Sequence, residues 1–276
     1  MSRTMIQAAV TMNQLQNKLD ITGNNLANSQ TTGYKNRQAE FSSLLFQEID
    51  NMTAPANAQG RLTPDGIRVG SGAKLGSIDM DFTQGAIQET GRALDTALLG
   101  KNHLYQMQVT ENGGTETRYT RDGSFYLSPV NNNEEVMLTT KDGHPVLGEN
   151  GRIVFRDDFD SITIQPDGGV TVKRGNTSEH VGTLAITEAI RPQLLEAAGD
   201  NQFRLPDLGE LGFTADEVMQ AAGTGEPMLK NNALEKSNVD VAKQMTDMIS
   251  TQRSYQFNAR TITMTDQMQG LINQLR

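Results

Sequence analysis

A heptad pattern at each end of the chain places the strongest limit on what this sequence can fold into. In the N-terminal segment, apolar or small residues recur at alternating steps of three and four, which is the spacing of a coiled-coil seam. The seam residues are Met5, Ala8, Met12, Leu15, Leu19, Thr22 and Leu26. Because the stripe is narrow and partly built from Ala, Thr and Met, this helix is marginal alone and requires a partner.

The C-terminal segment repeats the pattern over a longer stretch. Its seam is predicted at Val241, Met245, Met248, Gln252, Tyr255, Ala259 and Ile262, and a phase-shifted apolar run follows at Met264, Met268, Leu271 and Leu275. Neither Pro nor Gly interrupts this stretch before Gly270, so we expect one helix of roughly 36 residues. The two terminal helices are predicted to pair as a coiled coil.

The middle of the chain carries the signals of β structure. Asp122-Gly123, Asp142-Gly143 and Asp167-Gly168 lie between or beside short runs rich in Val, Ile, Tyr, Phe and Thr. Asp-Gly readily adopts the positive φ of a tight hairpin turn, and Asn112-Gly113 and Asn150-Gly151 add turns of similar character. We therefore predict a mainly antiparallel β domain enclosed by helices from opposite ends of the chain.

The fold class is accordingly mixed α and β, with five segments. They are an N-terminal assembly helix (1–30), a stretch of extended linker and β segments (31–94), an antiparallel β domain (95–198), a return linker (199–236) and a C-terminal assembly helix (237–276). The linkers are assigned from their Gly, Pro and Asn content, which disfavours long regular elements.

Composition and motifs argue against several classes of function. A net charge of -9 disfavours nucleic-acid binding, and the absence of cysteine excludes disulfides, thiolate metal sites and a cysteine nucleophile. His103, His144 and His180 have no second ligand at a metal-binding spacing, and the acidic cluster at 157–160 lacks the pattern of a calcium loop. We predict no enzymatic activity, catalytic residue, cofactor, metal site or small-molecule substrate.

The N-terminal sequence does not predict an ordinary secretory signal. It has no uninterrupted apolar core followed by a small-residue cleavage site. No stretch approaches the roughly 18 consecutive apolar residues of a membrane-spanning helix. Export with a cleaved signal peptide and insertion into a membrane are both unexpected.

The segment GNNLANSQTTGYK, at 23–35, resembles a signature of the bacterial flagellar rod and hook family. In that family an Asn-Asn-Leu-Ala-Asn run precedes a Thr-Gly-Tyr/Phe-Lys turn. The matching residues are Asn24, Asn25, Leu26, Ala27, Asn28, Thr32, Gly33, Tyr34 and Lys35. Asparagine tolerates the left-handed conformation that ends a helix, and Gly33 permits the next bend, so the motif suits a helix end.

Other segments extend the resemblance along the chain. DFTQGAIQETGRALDTALLGKNHLYQM, YTRDGSFYL and NNALEKSNVDVAKQMTDMISTQRSYQFNARTITMTDQM occur in the order that the family uses. The segment TAPANAQGRLTPDGIRVGSG is similar to the longer linker of distal-rod proteins, which favours a rod protein over a hook protein. Within the family, the chain resembles a Bacillus-type distal-rod hook-basal body protein. One departure is the run from Gly100 to Tyr105, where the family commonly has Gly-Gln-Gly-Phe-Phe.

The resemblance implies a structural subunit of the flagellar basal body. It implies export in unfolded form by the flagellar export apparatus without a cleaved signal peptide. It further implies polymerisation with itself into a helical rod, contacts with neighbouring rod and hook proteins, and transmission of torque from motor to hook. The predicted assembly interface comprises Met5, Met12, Leu15, Leu19, Leu26, Val241, Met245, Met248, Tyr255 and Ile262.

Three alternatives remain at this stage. A non-polymerising junction or adaptor protein between rod and hook would use the same terminal helices. A secreted hydrolase would need a carboxylate pair or a catalytic triad in the β domain, and none is found. A glycan-binding β module would need aromatic platforms, which are in short supply because aromatic residues make up 5% of the chain and Trp is absent.

Overall fold

A computed structural model describes residues 3–43, 47–49, 67–69, 73–111, 113–199, 201–223 and 227–274. The chain divides into two compact units. Unit 1 comprises residues 1–26, 37–79 and 241–276, and unit 2 comprises residues 27–36 and 80–240. Most of the linker at 53–72, together with Asn112 and Leu275, lies outside the described residues.

Two long and two short α-helices occur in the described residues, together with 3-10 helices at Asn131–Asn133 and Pro192–Leu194. A membrane-spanning helix is not found among the described residues. The α-helices are α1 (Arg3–Ala27), α2 (Leu208–Leu211), α3 (Ala215–Val218) and α4 (Val241–Gln274). The strands in chain order are β1 (Arg37–Ser43), β2 (Gln47–Ile49), β3 (Ile67–Val69), β4 (Ala73–Met80), β5 (Ile87–Glu89), β6 (Thr96–Leu98), β7 (His103–Glu111), β8 (Gly114–Thr120), β9 (Tyr126–Val130), β10 (Glu135–Thr139), β11 (Leu147–Gly148), β12 (Gly151–Arg152), β13 (Val154–Arg156), β14 (Ser161–Ile164), β15 (Gly169–Arg174), β16 (Thr177–Thr183), β17 (Ile186–Ala189), β18 (Glu196–Gly199), β19 (Gln202–Arg204), β20 (Met219–Ala221), β21 (Leu229–Asn231) and β22 (Ala233–Glu235).

Unit 1 contains the two long helices and two pairs of strands. Strand β1 pairs with β4, and β2 pairs with β3 in antiparallel register. The prediction of a mixed fold with a mainly antiparallel β middle between terminal helices is confirmed. Pairing of α1 with α4 as a coiled coil is not confirmed and stays a prediction.

Unit 2 is built around a six-stranded antiparallel sheet with the order β18-β19-β8-β7-β17-β20. Two three-stranded sheets, β13-β10-β9 and β14-β15-β16, add further layers. The outgoing strands β5 and β6 pair antiparallel with the returning strands β22 and β21. The two passages of the chain through this end of unit 2 therefore form a two-stranded ribbon.

Both faces of the six-stranded sheet are covered by apolar side chains. Successive residues of a strand point to opposite faces, and Leu104 and Tyr105 of β7 accordingly belong to two different buried clusters. Tyr105 packs edge-on against Phe125, with ring centroids 5.0 Å apart. On the opposite face, Phe203 packs against Phe82 at 5.6 Å. This two-sided burial gives unit 2 an apolar core on each face of the sheet.

The hairpin predictions are confirmed at four turns. Gly113, Gly143, Gly151 and Gly168 all have positive φ, and the strands beside them pair antiparallel. The prediction at Asp122-Gly123 is wrong. Gly123 has no positive φ, and strands β8 and β9 on either side of it pair with other strands. A Cβ at Gly123 would lie 1.9 Å from Thr96 O, so glycine is required there by a close approach of two backbones.

Candidate assembly site

The less exposed residues of α4 form one stripe along the helix, which we call the inner stripe. It consists of Gln244, Met248, Thr251, Tyr255, Asn258, Ile262 and Thr265, at alternating steps of four and three. Gln244, Thr251 and Thr265 are buried, and the others are half-buried. The buried positions of this heptad are thus polar, whereas three of the half-buried ones carry larger apolar or aromatic side chains.

The predicted C-terminal interface only partly follows this stripe. Met248, Tyr255 and Ile262 lie in the inner stripe. Val241 and Met245 lie outside it, with exposed fractions of 36% and 49%. Gln244 is buried, and Met245 is not. At every second position, the inner stripe therefore lies one residue before the predicted seam. The apolar pattern of the sequence could not reveal this shift, because the residues at the shifted positions carry amide or hydroxyl groups.

A second apolar surface of α4, the outer face, is exposed. It consists of Ile249, Phe257, Met264, Met268 and Leu271, with exposed fractions between 51% and 70%. Each of three outer-face residues lies nine positions after an inner-stripe residue: Phe257 after Met248, Met264 after Tyr255, and Leu271 after Ile262. Nine residues make about two and a half turns, so the outer face lies on the opposite side of the helix from the inner stripe.

The predicted seam of α1 coincides with its less exposed side. Ala8 and Thr22 are buried, and the predicted interface residues are half-buried, namely Met5, Met12, Leu15, Leu19 and Leu26. Thr22 remains compatible with burial because its hydroxyl donates to Lys18 O within the helix at 2.7 Å. Ile6, on the other side of α1, is 53% exposed.

Asn25 connects the end of α1 to two other parts of unit 1. Its Nδ2 donates to Arg37 O at 2.8 Å, while Arg37 N donates to its Oδ1 at 3.0 Å. The same Nδ2 lies 3.3 Å from Gln244 Oε1 on α4. A primary amide has the donor and acceptor of a peptide group, so Asn25 pairs with Arg37 as a strand residue would. The amide is 1% exposed, which makes these hydrogen bonds essential to its burial.

The remaining motif residues form the turn through which the chain enters unit 2. Thr31 Oγ1 donates to Asn28 Oδ1 at 3.1 Å, and Asn201 Nδ2 donates to Thr32 O at 2.9 Å. Gly33 has φ 64°, and a Cβ there would lie 2.6 Å from Arg121 O. Tyr34 is buried, whereas Asn24 and Ala27 are exposed. The motif is therefore a compact turn that seats residues 33–36 inside unit 2.

Lys35 joins Glu235 and Arg121 in a buried group that we call the ion cluster. Lys35 Nζ lies 2.8 Å from Glu235 Oε1, and Arg121 Nε lies 2.6 Å from Glu235 Oε2. All three side chains are at most 1% exposed. Arg121 Nη1 also donates to Lys101 O and His103 O, and Lys35 Nζ donates to Thr83 O. Such dense pairing is required because an unpaired buried charge is strongly destabilising.

Electrostatics within the ion cluster are unbalanced, with two cations sharing one carboxylate. Burial, followed by the neighbouring Arg121 guanidinium, lowers the pKa of Lys35 to about 8, although Glu235 and more distant Asp81 oppose the shift. Arg121 Nη2 is buried and has no hydrogen-bond partner among the described residues. Glu235 Oε1 accepts a further hydrogen bond from Gly85 N at 2.7 Å. The cluster thus carries one positive charge more than it can neutralise.

Asn238 gathers three passages of the chain close to the ion cluster. Its Oδ1 accepts from Asn36 N at 2.7 Å, and its Nδ2 donates to Asp81 O at 2.7 Å. The same Nδ2 also lies within 3.2 Å of Thr83 O and Oγ1. Asp81 N in turn donates to Asn36 O at 2.9 Å. Residues 33–36, 81–85 and 235–238 are therefore held side by side in unit 2.

Sequence reasoning did not identify Arg121, Glu235, Asn238 or Gln244 as functional residues. Arg121 stands in YTRDGSFYL, and the others stand in or near NNALEKSNVDVAKQM, segments that resembled the family without an assigned role. Charged and amide residues usually signal a solvated surface, so composition gave no indication of their burial. Their pairing joins positions more than a hundred residues apart, which no local pattern contains.

The histidines do not form a metal centre in the part of the chain that the structure describes. There, no group of three or more His, Asp or Glu side chains is placed to hold a metal ion. Burial is the main cause of a lowered pKa at His103, whose Nδ1 has no hydrogen-bond partner among the described residues. His103 packs against Gly100, where a Cβ would lie 2.3 Å from that nitrogen.

Three segments of the chain match models of known protein families. The family model "Flagella basal body rod protein" matches residues 7–35. The model "Flagellar hook protein FlgE/F/G D1 domain" matches residues 106–172. The model "Flagellar basal body rod FlgEFG protein C-terminal" matches residues 230–275. These three ranges contain most of α1, all of α4, strand β8 and most of β7, and the cluster residues Lys35, Arg121 and Glu235.

Similar whole proteins cover nearly the full length of the chain. The flagellar hook-basal body complex protein FlhP of Bacillus subtilis is 41% identical over 280 residues, with 100% of both chains covered. The flagellar basal-body rod protein FlgG of Agrobacterium fabrum is 33% identical, with 98% of each chain covered. FlgG of Borreliella burgdorferi is 35% identical, with 100% of this chain and 99% of the relative covered. The chain belongs to the flagellar basal-body rod and hook family.

Proposed function

We propose that this chain is a structural subunit of the bacterial flagellar rod that polymerises with itself through its terminal helices. The outer face of α4 carries the proposal. A helix that is apolar on two opposite sides is typical of a helix buried in its finished setting, and here one of those sides is exposed. A further copy of the chain is the partner that we assign to it.

The outer face is large enough to contribute several kcal/mol to assembly when it is buried. Complete burial of a Leu, Ile, Met or Phe side chain stabilises by about 1.5–3 kcal/mol. The outer face presents five such side chains along more than twenty residues of helix. Association costs about 4–15 kcal/mol in lost freedom, so contacts from several neighbouring subunits would be needed for a stable polymer.

In the proposed rod, the seam of α1 and the inner stripe of α4 pair as a coiled coil within one subunit. The outer face of α4 then contacts the next subunit. Such contacts are heterologous, because one surface meets a different surface of the neighbour, and heterologous contacts build an open helix when the rotation does not close. Unit 2, with its apolar core, acts as a spacer whose surface contacts other subunits.

The family relationship supports the cellular setting of this proposal. Relatives named as flagellar rod and hook-basal body proteins cover the whole chain, which favours the basal body as its location. We propose that it contacts neighbouring rod and hook proteins and transmits torque from motor to hook. We further propose that the flagellar export apparatus delivers it unfolded, without a cleaved signal peptide, and that it binds neither nucleic acid nor a small-molecule substrate.

A pair of charge substitutions on α4 tests the assembly role. Phe257→Asp places a carboxylate on the outer face, and Thr263→Asp places one at an exposed position of the same helix outside that face and outside the predicted seam. Each variant is expressed in cells that lack the wild-type gene, and basal bodies are purified. We expect Phe257→Asp to be absent from rods and Thr263→Asp to be incorporated normally. Equal incorporation of both variants would refute assembly through the outer face.

Copy number distinguishes a polymer from the alternative junction protein. Quantitative mass spectrometry of purified basal bodies that contain the wild-type chain gives its ratio to a ring protein of known stoichiometry. A polymer requires enough copies for at least two helical turns, whereas a junction protein requires no more than a single layer. A count limited to one layer would favour the non-polymerising junction or adaptor between rod and hook.

A further inference from the structure

We propose that Lys35 is a positioning residue, whose ammonium group sets the register of the three chain passages in unit 2 and is dispensable for the folding of that unit. The proposal deepens the proposed function, because these passages lead into the helices that we assign to assembly. It rests on the placement of the ion cluster and on its excess of positive charge.

Lys35 connects three passages of the chain. Its Nζ donates to Thr83 O at 2.7 Å in the passage 81–85 and contacts Glu235 Oε1 at 2.8 Å in the passage 235–238. Lys35 itself lies in the passage 33–36. One side chain therefore touches all three passages, and the sequence separation of its contacts is 48 and 200 residues. A shift of any passage by one residue would break at least one of these bonds.

Lys35 is not needed for the folding of unit 2. Arg121 alone neutralises Glu235, to which it is paired at 2.6 Å, and it also bonds the carbonyls of Lys101 and His103. Glu235 retains Gly85 N as a donor when Lys35 is removed. The core of unit 2 is a separate apolar cluster around Tyr105 and Phe125. Folding of the sheet therefore does not require the second cation.

The second cation of the ion cluster opposes folding. Burial of a charged amine without a carboxylate of its own opposes folding, and an apolar side chain of similar volume is often neutral or stabilising in such a place. The groups that face Lys35 are the Glu235 carboxylate, the Arg121 guanidinium and, further away, the Asp81 carboxylate. A residue that opposes stability yet bonds three passages is suited to setting their register.

Lys35→Met in the full chain tests the proposal, with Lys173→Met on the exposed surface of β15 as the matched control. Hydrogen exchange of the purified protein is followed by mass spectrometry. We expect Lys35→Met to increase exchange at least tenfold in peptides that cover 33–36 and 81–85, with β7 and β8 unchanged. The unfolding temperature should stay within about 3 °C of the wild type. Lys173→Met should change neither measurement.

The pH dependence of stability tests whether Lys35 carries an excess buried charge. The pKa of Lys35 is lowered to about 8 in the folded chain, against about 10.4 in an unfolded one. Between these values the unfolded chain binds more protons, so the stability of the wild type rises with pH. The wild type should therefore gain stability relative to Lys35→Met between pH 7.5 and about 10. If the difference in the free energy of unfolding between the wild type and Lys35→Met is constant across this pH range, an excess buried charge at Lys35 is contradicted.

Two results would overturn the positioning role. One is loss of the cooperative unfolding transition in Lys35→Met, which would make Lys35 a residue that unit 2 needs in order to fold. The other is unchanged exchange in 33–36 and 81–85. Glu235→Gln gives a second measurement, because it leaves two buried cations without their shared carboxylate. We expect it to lower the unfolding temperature by more than about 5 °C, and an unaffected variant would refute the ion cluster itself.

Assembly is measured separately from positioning. In cells that lack the wild-type gene, Lys35→Met should reduce incorporation into purified basal bodies at least fivefold, while Lys173→Met supports normal incorporation. Normal incorporation of Lys35→Met would contradict the link between register and assembly. Absence of the wild-type chain from rods would instead refute the proposed function, and the exchange measurements on purified protein would still decide the role of Lys35.

Discussion

The core of unit 2 and the inner stripe of α4 are both buried, but they are built from different residues. The core is lined by Leu, Ile, Val, Phe and Tyr from several strands, with Leu98, Phe125 and Leu138 at 0% exposure. The most buried positions of the inner stripe are Gln244, Thr251 and Thr265. Apolar burial drives folding, whereas buried hydroxyls and amides contribute little net stability. Unit 2 is thus organised to fold alone, and α4 to depend on further contacts.

The strongest test of this contrast is removal of the C-terminal helix. Deletion of residues 240–276 should leave a folded unit 2, because its core contains no residue from α4. The same deletion should abolish rod formation and motility. Circular dichroism and thermal unfolding measure the first expectation, and motility in soft agar measures the second. A deleted protein that still builds rods would contradict the assembly role of α4, and deletion of residues 1–28 gives the matching test for α1.

Single charges in the predicted seam should separate the two regions with less disturbance. Met248→Asp and Leu19→Asp each place a carboxylate at a half-buried position of a terminal helix. We expect both variants to keep the unfolding transition of unit 2 and to lose incorporation into rods. Loss of the β signal in circular dichroism would show that the terminal helices and unit 2 are not energetically separate.

A cavity in the core should have the reverse effect. Phe125 is fully buried and packs against Tyr105, so Phe125→Ala should reduce the free energy of unfolding of unit 2 by about 3–5 kcal/mol. Chemical denaturation measures this loss. Val154→Ala, at a position that is 37% exposed, serves as a control with an expected loss below about 1 kcal/mol. Similar losses in both variants would contradict the tight packing of Phe125 in the core.

The turn that connects the two regions should be sensitive to a single methyl group. Gly33→Ala combines a left-handed backbone with a contact of 2.6 Å to Arg121 O, so we expect a loss of about 2–3 kcal/mol. Gly175 has φ 57° with open space around its Cβ position, and Gly175→Ala should cost only about 1 kcal/mol. Thermal unfolding of both variants gives the difference. Equal costs would show that the contact with Arg121 is not tight.

The smallest expected effect is an alkaline loss of stability in the core. Burial raises the pKa of Tyr105 above its ordinary range, even though the hydrogen bond with Thr96 acts in the opposite direction. An unfolded tyrosine ionises near pH 10, so above that pH the folded chain binds more protons and its stability falls as pH rises. Tyr105→Phe should remove about 1.4 kcal/mol of this loss at pH 11. If the difference in the free energy of unfolding between the wild type and Tyr105→Phe stays constant from pH 9 to 11, the raised pKa of Tyr105 is contradicted.

The sequence predicted those features whose signal is local. The heptads of α1 and α4 located both long helices, and the Asp-Gly and Asn-Gly pairs located four hairpins, because periodicity and turn chemistry act over a few residues. Asp122-Gly123 misled for the same reason: its chemistry suits a hairpin, but the tertiary contact with Thr96 decides the conformation. The inner stripe differs from the predicted seam at Gln244 and Thr251. These residues are buried because of the residues packed around them and not because their own side chains are apolar.

The ion cluster was not predictable, because its members are charged and lie far apart in sequence. Lys35 was identified only as a motif residue, without its partners. Glu235 lies 200 residues further along the chain, and Arg121 is separated from it by 114 residues. The antiparallel pairing of β5 and β6 with β22 and β21 brings the returning passage back beside the outgoing one.

The distance in sequence between Lys35 and Glu235 also has a kinetic consequence. Local hairpins such as β14-β15 close as soon as a few residues are available, within microseconds. The contact between Lys35 and Glu235 closes a loop of 200 residues, which carries a larger entropic cost and requires nearly the whole chain. During synthesis from the N-terminus, it is therefore among the last native contacts to form. An incomplete chain that ends before residue 235 contains the helix α1 but lacks the contact that orders its exit.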